Sequence, residues 1–312
     1  MNVGGWMKFL LFGGALAGLW FVYDQFIAGS TVEDMARDYE LEQHAEDFVK
    51  QTATAPSERD VHPVSGTAYT LDNYLPIASI PGQRIDHGYY QLYYSEKHEQ
   101  AAWVAYRLTR DQLELPTVAR TDDFRPDPMV ASGSAQISDY QGSGYDRGHL
   151  VPAADRAYSD EAMSSTFYLS NASPQAIAFN RGIWKELEHQ TRDWARAAGE
   201  LYIVTGPVLQ QQRYTRIGDN RVAVPKAFFK VLLDLREPEQ KAIGFVMSNQ
   251  AHEEPLDHFM RSVDEVEAIT GIDFFASLPD EQEAQLERTY NASRWIYDEV
   301  RYKRRLVNQL KE

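Results

Sequence analysis

The chain has 312 residues, 43% of them hydrophobic and 25% charged, with a formal net charge of −15. That length and composition suit one large domain or two small ones around a sizeable core, and the lack of cysteine excludes disulfides, thiolate metal sites and cysteine nucleophiles. The acidic balance counts against a protein that attracts nucleic acid through its overall field, so any polyanion it handles must be gripped by a local cluster of cations.

The N-terminus reads GGWMKFLLFGGALAGLWFVY from Gly4 to Tyr23. The uncharged stretch from Phe9 is short for a membrane span, but reading back to Gly4 gives about 20 residues if Lys8 reaches the interface. Trp6 at one end and Trp20 and Tyr23 at the other sit where aromatic belts lie. Lys8 precedes the apolar run and Asp24, Glu33 and Asp34 follow it, so the positive-inside rule sends the rest of the chain outward. Residues 1–30 are therefore expected to form a membrane-anchor helix, with the remainder extracytoplasmic in a periplasm; the alternative is a mitochondrial membrane. A signal segment cleaved on secretion has the same layout, although no A-x-A site follows, and a buried core helix would be as apolar. Residues 31–66 read as an acidic linker with a short helix on Leu41, Ala45 and Phe48, ended by Pro56, Pro63 and Gly66.

From residue 67 the texture changes. GYYQLYYSEKHEQAAWVAYRLT predicts two strands around a charged turn. The runs ELYIVTGPVL, AFFKVLLDL and AIGFVMSN predict central strands. NRGIWKELEHQTRDWARAAG predicts a helix whose apolar stripe is Ile183, Trp184, Leu187, Trp194 and Ala198, stopped by Gly199. EPLDHFMRSVDEVEAITG is a second helical stretch, and residues 281–312 a long charged helix carrying Arg301, Lys303, Arg304 and Arg305. That cluster suits phosphate or a membrane surface, or is simply a solvated face. Strands and helices do not alternate strictly, which favours α+β, a central antiparallel sheet flanked by helices, for residues 67–280.

The densest chemistry lies in GYDRGHLVPAAD, Gly144 to Asp155. A mid-chain histidine is commonly structural, and an Asp–Arg pair commonly a surface ion pair. In an extended segment, however, Arg147 and His149 project to one face, and Gly148 between them leaves the backbone open to a bulky group. A fixed cation beside a neutral imidazole suits a phosphate ester: the arginine holds the charge and the histidine takes a proton from water. The arginine also disfavours the imidazolium, which keeps the base neutral at physiological pH. Charge on the leaving oxygen calls for a divalent cation, yet no dense ligand cluster is present. Asn171, Asn180 and Glu188 follow downstream, and taken singly Asn180 reads as a helix cap and Glu188 as a solvated face. Few protein ligands and many waters fit Mg2+.

Taken together and in order, YDRGHLVPAAD, FYLSNASPQ, FNRGIWKELE, YIVTGPVL, VAVPKAFFKVLLD, IGFVMSN and VDEVEAITGIDFFASLP resemble the DNA/RNA non-specific endonuclease family of ββα-metal, or His-Me finger, nucleases. WVAYRL and RTDDFRPDP upstream extend the resemblance to about Tyr89–Pro279. The resemblance implies a ββα-metal finger active site within the α+β domain. It implies that His149 is the general base, Asn180 the direct protein ligand of Mg2+ (with Mn2+ as a substitute), and Glu188 the acid that orients the cation's water. It further implies that Arg147 and Arg120 bind the scissile or adjacent phosphate, that Asn171 belongs to the site, and that Asp146 positions the loop or the cation's waters. On a straight helix Asn180 and Glu188 would stand about 12 Å apart, too far to share an ion directly. A water-mediated Glu188, or a non-helical Asn180 ahead of the first turn, resolves this.

The expected activity is Mg2+-dependent, sugar-non-specific cleavage of DNA and RNA to 5′-phosphate products. Two other readings stand beside it: a membrane-anchored nucleic-acid-binding protein on an inactive nuclease scaffold, and a small-molecule phosphodiesterase. DNA and RNA are the expected partners, with the membrane through the N-terminal helix; a homodimer is left open alongside a monomer.

Overall fold

The computed structural model describes residues 74–236 and 238–309. Among them no helix is long and apolar enough to cross a membrane. The anchor expected over residues 1–30 and the acidic linker over 31–66 lie outside the described residues.

The strands, in chain order, are β1 (Ile77–Ala78), β2 (Gln83–Asp86), β3 (Gln91–Ser95), β4 (Gln100–Thr109), β5 (Tyr145–His149), β6 (Ala172–Ala176) and β7 (Glu200–Pro207). They continue with β8 (Arg216–Ile217), β9 (Val222–Ala223), β10 (Ala227–Asp234), β11 (Lys241–Ser248), β12 (Met260–Arg261) and β13 (Ile272–Asp273). The main helices are α1 (Arg110–Glu114), α2 (Asp160–Ser165), α3 (Lys185–Ala198), α4 (Val263–Thr270), α5 (Asp280–Glu287) and α6 (Glu299–Gln309). The central sheet runs in the order β12-β11-β10-β7-β4-β3-β2, with every neighbouring pair antiparallel. The domain is thus mixed α+β, and the hairpin expected within GYYQLYYSEKHEQAAWVAYRLT is the β3–β4 pair.

Both faces of the sheet are covered, because successive side chains of a strand point to opposite sides. On one face Leu201, Ile203, Phe228 and Leu232 meet Trp184, Leu187, Trp194 and Ala195 of the α3 region. On the other, Tyr202, Val204, Phe229, Val231 and Leu233 meet Val263, Val266, Phe274 and Phe275. This double burial explains why AFFKVLLDL reads as a nearly unbroken apolar run. Helix α3 ends where the sequence says it should: Gly199 takes φ +88° and its N–H donates to the Ala195 carbonyl at 2.8 Å.

Two helical expectations change. The stretch EPLDHFMRSVDEVEAITG holds a single 3-10 turn at Leu256–Phe259, then β12, and only then α4, whose capping box is Ser262 with Glu265. The charged tail runs as two helices. Between α5 and α6, Trp295 is buried in the sheet–α3 core, edge-on to Trp194 at 5.2 Å, and that anchor bends the chain away from a continuous helix.

Candidate active site

Strands β5 and β6 form a small separate antiparallel sheet, with Arg147 opposite Pro174 and His149 opposite Ala172. Gly144 enters β5 with φ +80°, a left-handed turn that a residue with a side chain adopts only under strain. Leu150 and Val151, both fully buried, fix the far end in the core. Asn171 then clamps that end. Its Oδ1 accepts from the Val151 N–H at 2.9 Å, and its Nδ2 donates to the carbonyls of Val151 and Thr166 at 3.1 and 2.8 Å. Fully buried and fully bonded, Asn171 lies behind the cleft wall and not in it. Gly148 also differs from expectation. The position its Cβ would take is filled by the Gln175 side chain, so the missing side chain serves β5–β6 packing and not the approach of a ligand.

Arg147 and His149 do share a face. Phe124 lies between them, with the Arg147 guanidinium 4.3 Å from its ring centroid and the imidazole 5.1 Å away. Phe167 stands edge-on to His149 at 4.9 Å and carries the Arg120 guanidinium at 4.9 Å on its ring. Arg120 pairs with Asp122 at 2.8 Å, in a loop anchored by Asp123, which accepts from Arg125 and Ser164 at 2.6 Å each. Burial, and after it the charges of Arg120 and Arg147, lower the His149 pKa to about 3, although Asp122 opposes them. The imidazole is therefore neutral across the physiological range. Its Nε2 is shielded from solvent and has no hydrogen-bond partner among the described residues.

The segment Asn180–Trp184 is a wide, kinked turn in which Gly182 leaves helical geometry at φ −97°, ψ −114°. A one-turn helix at Ile177–Phe179 precedes this turn, and α3 starts at Lys185. Asn180 is not the non-helical residue expected: it caps the short helix with helical dihedrals, φ −58° and ψ −46°, and the departure falls at Gly182; Glu188 sits in the first turn of α3, and both line one cleft of about 820 Å3 with Arg120, Asp146, Arg147 and His149. Asp146 holds the turn in place. It accepts from Asn180 Nδ2 at 2.9 Å and from Arg181 Nε and Nη2 at 3.0 Å each. Burial would raise its pKa, but these bonds and the charges of Arg181 and Arg147 outweigh that and hold it below the usual carboxylate range.

Behind Glu188 lies a buried charge network that the sequence does not announce. Asp155 accepts from Tyr106 Oη and pairs with Arg192 Nη1, both at 2.8 Å. Lys230, fully buried on β10, sits 5.0 Å from the Trp184 ring centroid, and its amine has no hydrogen-bond partner among the described residues. Burial raises the Glu188 pKa to about 7 against the opposing charges of Lys230 and Arg192. The same burial lowers Lys230 to about 8. Lys185 and His189 also line the cleft and were not singled out from sequence.

A neutral imidazole, two arginines, a carboxamide and a carboxylate on one wall can hold a phosphate ester and take a proton from water. Comparisons with known proteins bear on the family. A profile of the family described as DNA/RNA non-specific endonuclease matches residues 70–281. Human mitochondrial endonuclease G is 36% identical over 202 residues, 61% of this chain and 68% of that protein. The mitochondrial nuclease EXOG of Danio rerio is 34% identical over 210 residues, 62% of this chain and 61% of that protein. A crystal structure of the EndoG/EndoGI complex superposes with TM-score 0.60 at 31% identity, covering 65% of this chain and 90% of that one. The chain belongs to the DNA/RNA non-specific endonuclease family and is a nuclease, a hydrolase.

Proposed function

We propose that this chain is a sugar-non-specific endonuclease that cleaves DNA and RNA to 5′-phosphate products with Mg2+, or with Mn2+ in its place. The observation that carries the reading is the shielded Nε2 of His149, without a hydrogen-bond partner among the described residues, in the cleft that Arg120, Arg147, Asn180 and Glu188 also line. The β5–β6 pair followed by the kinked turn and α3 is the proposed ββα-metal unit. Its donor set fits a hard, largely hydrated cation. Asn180 Nδ2 is committed to Asp146, which leaves its carbonyl oxygen as a neutral donor, and Glu188 supplies a carboxylate. Among the described residues, the grouping of three acidic ligands is Asp264, Glu267 and Glu287, whose helices pack on the opposite face of the sheet. A bound cation supplies Lewis-acid stabilisation of the leaving oxygen.

The protein's own groups do the rest. His149 accepts the proton of the attacking water. Arg147 and Arg120 hold the scissile phosphate and offset the charge that develops on it. Glu188 orients water, Asp146 keeps Asn180 and Arg181 in place, and Asn171 fixes the end of the strand that carries the base. Phosphate contacts carry no sequence information, so low sequence preference follows.

Incubation of supercoiled plasmid and of RNA with Mg2+ and then EDTA tests this. Nicking that needs the cation and leaves 5′-phosphate ends is expected. Binding without cation-dependent cleavage points to the inactive-scaffold reading; faster turnover of mononucleotide esters than of long DNA points to a small-molecule phosphodiesterase.

In the same reading, residues 1–30 tether the nuclease to a membrane and residues 31–66 space it from the surface. The mitochondrial names of the relatives fit the mitochondrial alternative and lend no support to a periplasm. Fractionating cells that express the chain with and without residues 1–30 tests the tether, and sedimentation velocity tests a homodimer.

A further inference from the structure

On the face of the sheet away from the cleft, α4 and α5 pack through Val263, Val266 and Leu286. Each helix also carries two acids at helical spacing: Asp264 and Glu267 on α4, Glu283 and Glu287 on α5. Residues three or four apart share a helix face, and like charges there destabilise it. The fold adds to the crowding across the two helices. One carboxylate oxygen from each of Asp264, Glu267 and Glu287 lies within 4.8 Å of the other two. None of the three has an ion-pair partner among the described residues.

Glu287 shows that the group is more than a surface patch. The residue is only 5% exposed, and its Oε1 is shielded from solvent with no hydrogen-bond partner among the described residues. A buried acceptor left in that state keeps its full desolvation cost. Burial, and after it the charges of Glu267, Glu283, Asp264 and Asp273, push the Glu287 carboxyl up to about 9. Glu267 is held in place, because its Oε1 accepts from the Phe274 N–H at 2.7 Å. Asp264 is exposed and opens the group to solvent, which gives an ion a way in.

Ca2+ takes oxygen ligands at about 2.3–2.6 Å, so two of its ligands stand no more than about 5 Å apart, and the three carboxylates meet that limit. Of the hard divalent cations, Ca2+ accepts several carboxylates in irregular geometry, whereas Mg2+ keeps its waters and a near-octahedral shell. A carboxylate oxygen screened from solvent calls for direct ligation, which favours Ca2+. We propose that Asp264, Glu267 and Glu287 form a Ca2+ site that ties α4 to α5. The ion replaces repulsion among the acids with attraction to one centre. It touches none of the groups in the cleft, so the site stands whether or not the cleft cleaves nucleic acid.

Thermal unfolding in EDTA and in about 2 mM Ca2+, at matched ionic strength, tests the site. With a Kd of about 0.1 mM, the wild-type Tm is expected to rise by about 5 °C in Ca2+. Asn180→Ala, which alters only the cleft, is expected to rise as much. Glu287→Gln removes a buried unbalanced charge, so in EDTA it is expected to melt no lower than wild type, and Ca2+ should add less than about 1 °C. Asp264→Asn, at an exposed position, is expected to lose most of the gain. Isothermal titration of Asn180→Ala with Ca2+ should show one site, which the further change Glu287→Gln removes. An equal rise in Glu287→Gln would put the ion elsewhere. No rise in wild type would mean that a proton neutralises Glu287, and a rise as large with Mg2+ would contradict the choice of Ca2+; each of these results overturns the site.

Discussion

His149 shows how a fold keeps an ordinary imidazole neutral, as its proposed role of base requires. Sequence spacing puts it beside Arg147, and the structure adds two phenyl rings and a second arginine, which together suppress the imidazolium far more than one neighbour would. His149→Ala is expected to lower kcat by at least about a hundredfold, the scale of general-base catalysis. Its melting temperature should match wild type at pH 8 and exceed it at pH 5. Between the unfolded value of 6.5 and the folded value of about 3 the unfolded wild-type chain binds a proton that the folded one refuses, so wild-type stability falls as pH falls through that window. Glu188 has the opposite sign. Its folded pKa, about 7, lies above 4.5, so the folded form keeps a proton that the unfolded chain releases, and stability is lost as pH rises through 7. In EDTA, Glu188→Gln should therefore melt higher than wild type at pH 8.5, with the gap closing toward pH 5, while cleavage falls; a gap independent of pH would count against burial as the cause. The residues of DRGH were legible because they are contiguous. Asp155, Arg192 and Lys230 were not, since their association depends on the fold bringing 3-10 turn, helix and β10 together, and no local pattern records that. Phe124 and Phe167 lie in RTDDFRPDP and FYLSNASPQ, and nothing in those segments marks them as packing on the imidazole.

Elements position these side chains through two devices. The first is the Asn171 clamp, which ties the residue two positions beyond the base to the turn preceding β6. Asn171→Ala orphans the buried Val151 N–H and two carbonyls, at about 1–3 kcal/mol per unsatisfied group. Urea unfolding should show that loss, and kcat should fall with KM little changed, since Asn171 touches no part of the cleft. The second device is the kink at Gly182. The apolar period from Ile183 to Ala198 predicts the helix and its glycine stop, but it says nothing about where regular geometry begins, because a wide turn keeps roughly the same residues on the buried face. The kink is what lets a carboxamide and a carboxylate eight positions apart in sequence line one cleft. In the tail, charge density suggests one solvated helix; Trp295, buried in the core with Tyr297 packed beside it, holds the chain off that path, and two aromatics among so many charges carry little weight in a periodicity reading.

At the scale of the molecule, a protein of net charge −15 binds a polyanion through local cations set against an unfavourable field. Its salt dependence should therefore be modest. With a handful of phosphate contacts, log(kcat/KM) on long DNA should fall against log[salt] with a slope no steeper than about −4, at about −0.9 per phosphate. A slope near −8 would mean a far wider basic surface than the cleft provides. The α+β class was legible because strands buried on two faces and a helix with an apolar stripe leave different signatures; the strand order was not, since β7 pairs with both β4 and β10 across long sequence separations. The proposed site depends on one relation, the proposed base His149 and the proposed cation ligand Asn180 facing the same cleft. Paramagnetic broadening by Mn2+ of the 13C-labelled histidine rings reads it directly. The His149 resonance should broaden at low Mn2+, with the other cleft histidine, His189, and before histidines outside the cleft, and Asn180→Ala should abolish the effect. A His149 resonance untouched by Mn2+, or broadened equally in Asn180→Ala, would contradict a cation held beside the base.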